Sequence, residues 1–155
     1  MKKITAILFM LCFFTLSSCS SDDPAPSNED TELYIKFSAD GQQYSFEPET
    51  ITSLKKLIMG LKFENNVVSR ISLWMPTNPT IGTHAFVNAA ESDEIFDLPY
   101  TADFWLGEEV YDATSGEFTI TDIDDEYIKG TFSFIGTNSD GATIIVSNGT
   151  FRAYN

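Results

Sequence analysis

The chain has 155 residues, 23 of them acidic and 9 basic, for a formal charge of −14, with 43% hydrophobic residues. That charge repels nucleic-acid phosphate and anionic head groups and argues against a DNA- or RNA-binding role. One histidine and two cysteines cannot supply the clustered ligands of a zinc site.

Taken in order, Met1-Lys2-Lys3 is a positive start and residues 4–14 are apolar except for Thr5. Small residues then lead to Cys19. This is the layout of a secretory signal peptide, and the apolar run is shorter than the about 20 residues that a spanning helix needs. Leu16-Ser17-Ser18-Cys19 resembles the lipobox of bacterial lipoproteins. The resemblance implies a diacylglycerol on Cys19, cleavage before it and a mature chain of 137 residues. Two acyl chains meet the requirement for stable anchoring, at about 0.8 kcal/mol per buried methylene. The leader takes two lysines and no acid with it, which leaves seven bases against 23 acids, a formal charge of −16. Cys12 is lost with the leader and Cys19 is committed to lipid, so the domain has no disulfide and depends on its core.

Ser20-Ser21-Asp22-Asp23 resembles the acidic tether of Bacteroidota surface lipoproteins, which implies the outer membrane and display on the cell surface. Residues 19–30, with Pro24 and Pro26, read as a flexible tether. Residues 31–155 form the domain.

Leu33, Ile35 and Phe37 alternate with polar neighbours, which marks a half-buried strand. Asp40-Gly41 is a turn and residues 44–46 begin the return strand. Residues 48–56 read ambiguously, with room for a short helical turn. Leu57, Met59, Leu61 and Phe63 sit at period two, and Asn65-Asn66 turns the chain. Val67, Ser69, Ile71, Leu73 and Met75 follow on one face, with Val68, Arg70, Ser72 and Trp74 on the other. Residues 82–87 are a short strand. Residues 88–99, with Glu91, Asp93, Glu94 and Asp97, are an exposed acidic loop. Residues 100–111 hold two short strands about Gly107.

Phe118 and Ile120 face inward in the next strand, and residues 122–126 are an acidic turn. Ile128, Gly130, Phe132 and Phe134 share one face. Residues 138–141 turn the chain again. Ile144 and Val146 point inward, as do Phe151 and Ala153 at the opposite parity, which predicts a β-bulge at Asn148-Gly149. About eight to ten short strands with regular turns and no sustained helical period give an all-β domain, a single antiparallel β-sandwich or flattened barrel.

Ser115-Gly116-Glu117-Phe118-Thr119-Ile120-Thr121, Ile128-Lys129-Gly130-Thr131-Phe132-Ser133-Phe134 and Ser147-Asn148-Gly149-Thr150-Phe151 resemble the closing strands of a family of small Bacteroidota lipoproteins. Gly82-Thr83-His84-Ala85-Phe86 is similar to a strand start in the same family, which is catalogued as a domain of unknown function (numbered 6252). The resemblance spans residues 31–155. It implies location and fold and carries no catalytic residue.

For chemistry, His84 is the sole histidine and reads as a strand-start residue; no Gly-x-Ser-x-Gly elbow accompanies it. Asp122, Asp124, Asp125 and Glu126 offer hard oxygen ligands that suit Ca²⁺, although they miss the EF-hand pattern. Arg70, Trp74, Tyr100 and Trp105 form the candidate ligand-binding set, since aromatic rings near charged groups grip sugars or partner surfaces. The expectation is a non-catalytic, lipid-anchored surface domain that binds a glycan or an envelope or uptake-complex protein. Two alternatives stay open: a carboxylate-based hydrolase, with two acids about 5–10 Å apart across a cleft, and a structural envelope protein with calcium in the 122–126 turn.

Overall fold

The computed structural model describes residues 32–88 and 100–155. The leader, Cys19, the tether and the acidic residues Glu91, Asp93, Glu94 and Asp97 lie outside the described residues.

Strands β1 (Tyr34–Ala39) and β2 (Gln42–Phe46) pair through Asp40 and Gly41, whose φ values are 46° and 86°. Two positive φ values make the tight hairpin turn whose twist matches that of the strands. Asp40 then docks on the far end of the chain: its N–H donates to the Ile145 carbonyl at 3.1 Å, and its carboxylate accepts from the Ile145 N–H at 3.0 Å. The stretch expected to be ambiguous or helical is instead strand β3 (Pro48–Thr52). Its β-branched Thr50, Ile51 and Thr52 suit a pleat, and Pro48 stands at the first position, where a strand tolerates it. Strands β4 (Lys56–Glu64) and β5 (Val67–Met75) form the second hairpin over Asn65 and Asn66, at φ 51° and 63°.

After β6 (Gly82–Ala85) come β7 (Thr101–Leu106), β8 (Glu109–Ile123), β9 (Tyr127–Thr137) and β10 (Thr143–Tyr154). The bulge expected at Asn148-Gly149 is present: the β9–β10 register slips between Val146 and Gly149, and Asn148 adopts φ 53°. A Cβ on Gly149 would meet the Phe132 ring at 2.6 Å, so the bulge brings backbone directly onto that ring.

All ten strands belong to one antiparallel sheet in the order β2-β1-β10-β9-β8-β7-β5-β4-β3, with β6 on β8. The two end strands of that order, β2 and β3, are separated in the chain by Glu47 alone. One run, residues 42–52, therefore serves both edges. Its first half pairs with β1 and its second half with β4, so the sheet curls into a nearly closed barrel-like sandwich.

The interior is filled by side chains. Phe37 lies edge-on to Phe104 at 5.3 Å and beside Phe132 at 5.8 Å. Phe118 stacks on Phe151 at 5.1 Å. Those four, Phe37, Phe104, Phe118 and Phe151, are almost wholly buried, each worth about 1.5–3 kcal/mol by area removed from water. Phe118, Ile120, Ile128, Phe132, Phe134, Ile144, Val146, Phe151 and Ala153 all face this core, as the alternation predicted.

On β4 the period-two set Leu57, Met59, Leu61 and Phe63 faces outward. On β4 the inward residues are Ile58, fully buried, and Gly60. Leu61 and Phe63 point outward and are 59% and 69% exposed. Gly60 faces in because Phe46 occupies the space of its missing side chain: a Cβ there would lie 2.5 Å from the Phe46 Cβ.

Candidate functional site

The outward reading of β4 puts apolar side chains where a barrel usually carries polar ones. The strand register assembles them into rows across the outer surface. Ile51, Leu57, Trp74 and Thr101 are cross-strand neighbours in one row. Glu49, Met59, Ser72, Asp103 and Asp112 form the next. Leu61, Arg70, Trp105 and Val110 form the third, and Phe63 with Val68 begins a fourth. Ile51, Leu61 and Phe63 are exposed; Met59, Val68, Arg70, Trp74 and Trp105 are half-buried. Leu57 is covered by its neighbours.

A polar knot holds the middle of this face. The Arg70 guanidinium lies over the Trp105 ring at 3.7 Å and donates to the Asp103 carboxylate at 3.1 Å. Ser72 donates to the same oxygen at 3.0 Å. Asp112 stands across from Asp103 in the β7–β8 ladder. Although Asp112 reaches solvent, its carboxyl is pushed above the usual carboxylate range, first by partial desolvation and second by the Asp103 charge. The Nε1–H of Trp105 and the Nε–H of Arg70 are sealed from solvent without a hydrogen-bond partner.

Of the four aromatic-site residues read from the sequence, Arg70, Trp74 and Trp105 therefore share one surface. Tyr100 does not join them. It is 5% exposed and belongs to the core, its ring stacked on His84 at 4.1 Å and tilted against Phe118. Burial pushes its phenol pKa up, against the opposing pull of hydrogen bonds with Thr80. His84 Nε2 is 2.9 Å from the Thr80 carbonyl, which accounts for the histidine as a brace at the start of β6. Sequence reasoning missed Leu61, Phe63 and Ile51 as surface groups. For Leu61 and Phe63 the signal was present as an apolar face on β4, but it could not be told from a core face; Ile51 lies on β3, in the stretch that read ambiguously.

The acids of the 122–126 turn do not converge. Asp122 pairs with Lys129 at 3.0 Å. Asp124 accepts from the Glu126 and Tyr127 N–H groups at 2.8 and 2.7 Å, which holds its carboxyl below the usual range. Glu126 accepts from the Tyr127 hydroxyl at 2.7 Å. The lone pairs close the turn, and among the described residues no three His, Cys, Asp or Glu side chains gather to hold a metal. The calcium reading of Asp122, Asp124, Asp125 and Glu126 is corrected accordingly. Asp103 and Asp112 are adjacent acids, but they sit on the outward surface of the sheet with one already tied to Arg70, not across a cleft.

Among the described residues no helix is long and apolar enough to cross a membrane. No family model matches the chain, and no curated protein or solved structure does so.

Proposed function

We propose that this chain is a lipid-anchored exported protein whose domain binds a partner protein through the outer face of β3, β4, β5 and β7. The observation that carries the reading is the apolar face itself. Ile51, Leu61 and Phe63 are exposed on a sheet whose inner face already holds a packed core. A contiguous exposed apolar patch with polar groups set in it marks an interaction surface, and tryptophan and arginine are the residue types that dominate such surfaces. A protein partner fits better than a glycan. Sugar stacking needs an open ring face, and Arg70 covers one face of Trp105 at 3.7 Å; exposed leucine, isoleucine and phenylalanine match an apolar protein surface. The acidic charge of the chain selects a partner with a basic rim.

The anchor and its place on the outer membrane, facing the cell surface, are supported by the leader, Leu16-Ser17-Ser18-Cys19 and the acidic tether. Cys19→Ala should release the protein from membranes. The partner reading is tested by placing a photo-cross-linking residue at Ile51 or at Met59, with Ile145 on β10 as the control. Both outer-face positions should give the same discrete adduct, Ile145 should give none, and Trp105→Ala should remove it. Adducts of equal yield from Ile145, or adducts indifferent to Trp105→Ala, would sink the reading.

A further inference from the structure

The barrel does not close along the whole of β4. Residues 56–60 pair with β3. Beyond Gly60 the chain run that supplied β3 has turned at Glu47 and belongs, as β2, to the other edge. Among the described residues Leu61, Lys62, Phe63 and Glu64 pair with β5 alone, and β2 pairs with β1 alone. The two strands diverge from the point where Phe46 covers Gly60, and between them lies a cavity of about 340 Å³. Tyr44, Phe46, Ser69 and Leu106 line its floor, and Lys62 and Glu64 its side.

The backbone edges of this cleft face each other. A two-residue turn makes its flanking residues a hydrogen-bonded pair, and antiparallel strands alternate from there. Gln42 flanks the first turn, so Gln43 and Ser45 direct their N–H and C=O groups away from β1. Glu64 flanks the second, so Leu61 and Phe63 direct theirs away from β5. Four residues thus present donors and acceptors across one gap. Unsatisfied edges of this kind are templates for an added strand. The exposure of Leu61 and Phe63, 59% and 69%, follows from the same gap, because no strand lies beside them to cover their flanks.

We propose that the cleft between β2 and residues 61–64 of β4 takes a short extended segment of a partner protein as an additional β-strand. Its alternate outward residues are apolar and lie against Leu61 and Phe63. Its flanks are basic. Asp40, Glu47 and Glu49 are exposed on the chain segment that carries β2 and β3, Lys62 is tied to Glu64 at 3.0 Å, and the chain is at −14, so the surrounding field is negative. A second copy of this chain, itself at −14, fits that field poorly. The site adjoins the outer face and shares Leu61 and Phe63 with it, whereas Arg70, Trp74 and Trp105 do not line the cleft.

The test uses the full chain and a displayed library of random dodecapeptides. Expected are enriched peptides with alternating apolar residues and lysine or arginine flanks. N-methylation of one set of alternate amides removes the bonds to β2 and of the other set those to β4, so either should weaken binding at least about tenfold. Ser45→Pro removes a cleft-facing N–H while sparing the β1 ladder, since proline is tolerated on edge strands, and should weaken binding equally. The methylated peptides decide the matter even if that variant folds poorly. Trp105→Ala should leave peptide binding unchanged, which separates this site from the outer-face reading. No enrichment, binding indifferent to methylation at both sets, or a self-associated chain whose contacts the peptides cannot displace would each overturn the proposal.

Discussion

Gly60→Ala tests the packing at the point where the barrel edges meet. A Cβ at residue 60 would stand 2.5 Å from the Phe46 Cβ, 2.7 Å from its Cγ and 3.2 Å from Ile71 Cγ2. Carbon atoms pack at about 3.5–4.0 Å, so Phe46 must retreat by about 1 Å. It is not free to do so, since its ring is stacked against Phe37 at 5.9 Å and Tyr44 at 6.3 Å. Overpacking of this kind costs about 1–3 kcal/mol, less the few tenths to about 1 kcal/mol that alanine recovers from the unfolded chain. For a domain of this size each kcal/mol moves the melting temperature by roughly 4 °C, so Tm should fall by about 5 °C at mid-range and by up to about 10 °C. Urea unfolding should give the same loss with an unchanged slope. Phe46→Ala removes the pinned ring, so Gly60→Ala should cost less in that background, with a coupling of about 0.5 kcal/mol or more. A Gly60→Ala protein that melts with the wild type, or a cycle that is strictly additive, would refute the contact between β2 and β4.

Three further expectations concern the rest of the sheet. Asp112 has a raised carboxyl pKa, so the folded state binds its proton more tightly than the unfolded chain, and stability falls as pH rises from the ordinary carboxylate value through the raised one; Asp112→Asn should stabilise the protein at neutral pH and lose that advantage below the ordinary value, read as urea midpoint against pH. Arg70→Met keeps the stem and removes the charge over Trp105, so it should shift the tryptophan emission and cost about 1–3 kcal/mol, because Asp103 loses its charged partner; an unchanged spectrum would count against the Arg70–Trp105 stacking. Asn148→Val places a β-branched residue at φ 53° and should cost about 1–2 kcal/mol, whereas Asn148→Gly should be close to neutral by thermal melt.

The hairpins were legible because turn chemistry and alternation agree. Asp40-Gly41 and Asn65-Asn66 are residues that accept positive φ, and the flanking apolar residues set the register. The bulge was legible from parity alone: Val146 and Phe151 could face one core only if an extra residue intervened. On β4 the alternation left the side of the sheet open. Gly60 adds nothing to an apolar count, and Leu57, Met59, Leu61 and Phe63 are apolar for the outer surface, not for the core. A periodic pattern names a face but not its side, and here the deciding fact is Phe46, fourteen residues away in the chain. Tyr100 was misjudged for a similar reason, since it follows the acidic stretch 88–99 in sequence while its neighbours in space are His84 and Phe118. The acids of the 122–126 turn show the reverse ambiguity, because residues that bind cations also close turns with their own oxygens.

Strand β1 draws its second neighbour from β10, Tyr34 opposite Arg152 and Ile35 opposite Phe151. More than about a hundred residues must therefore be added after β1 before it has both partners. Pairings of such long sequence separation form slowly, and the nascent chain stays open meanwhile. Until β10 arrives, β1 holds only its hairpin partner β2, and the core face of the sheet cannot close around Phe37 and Phe151.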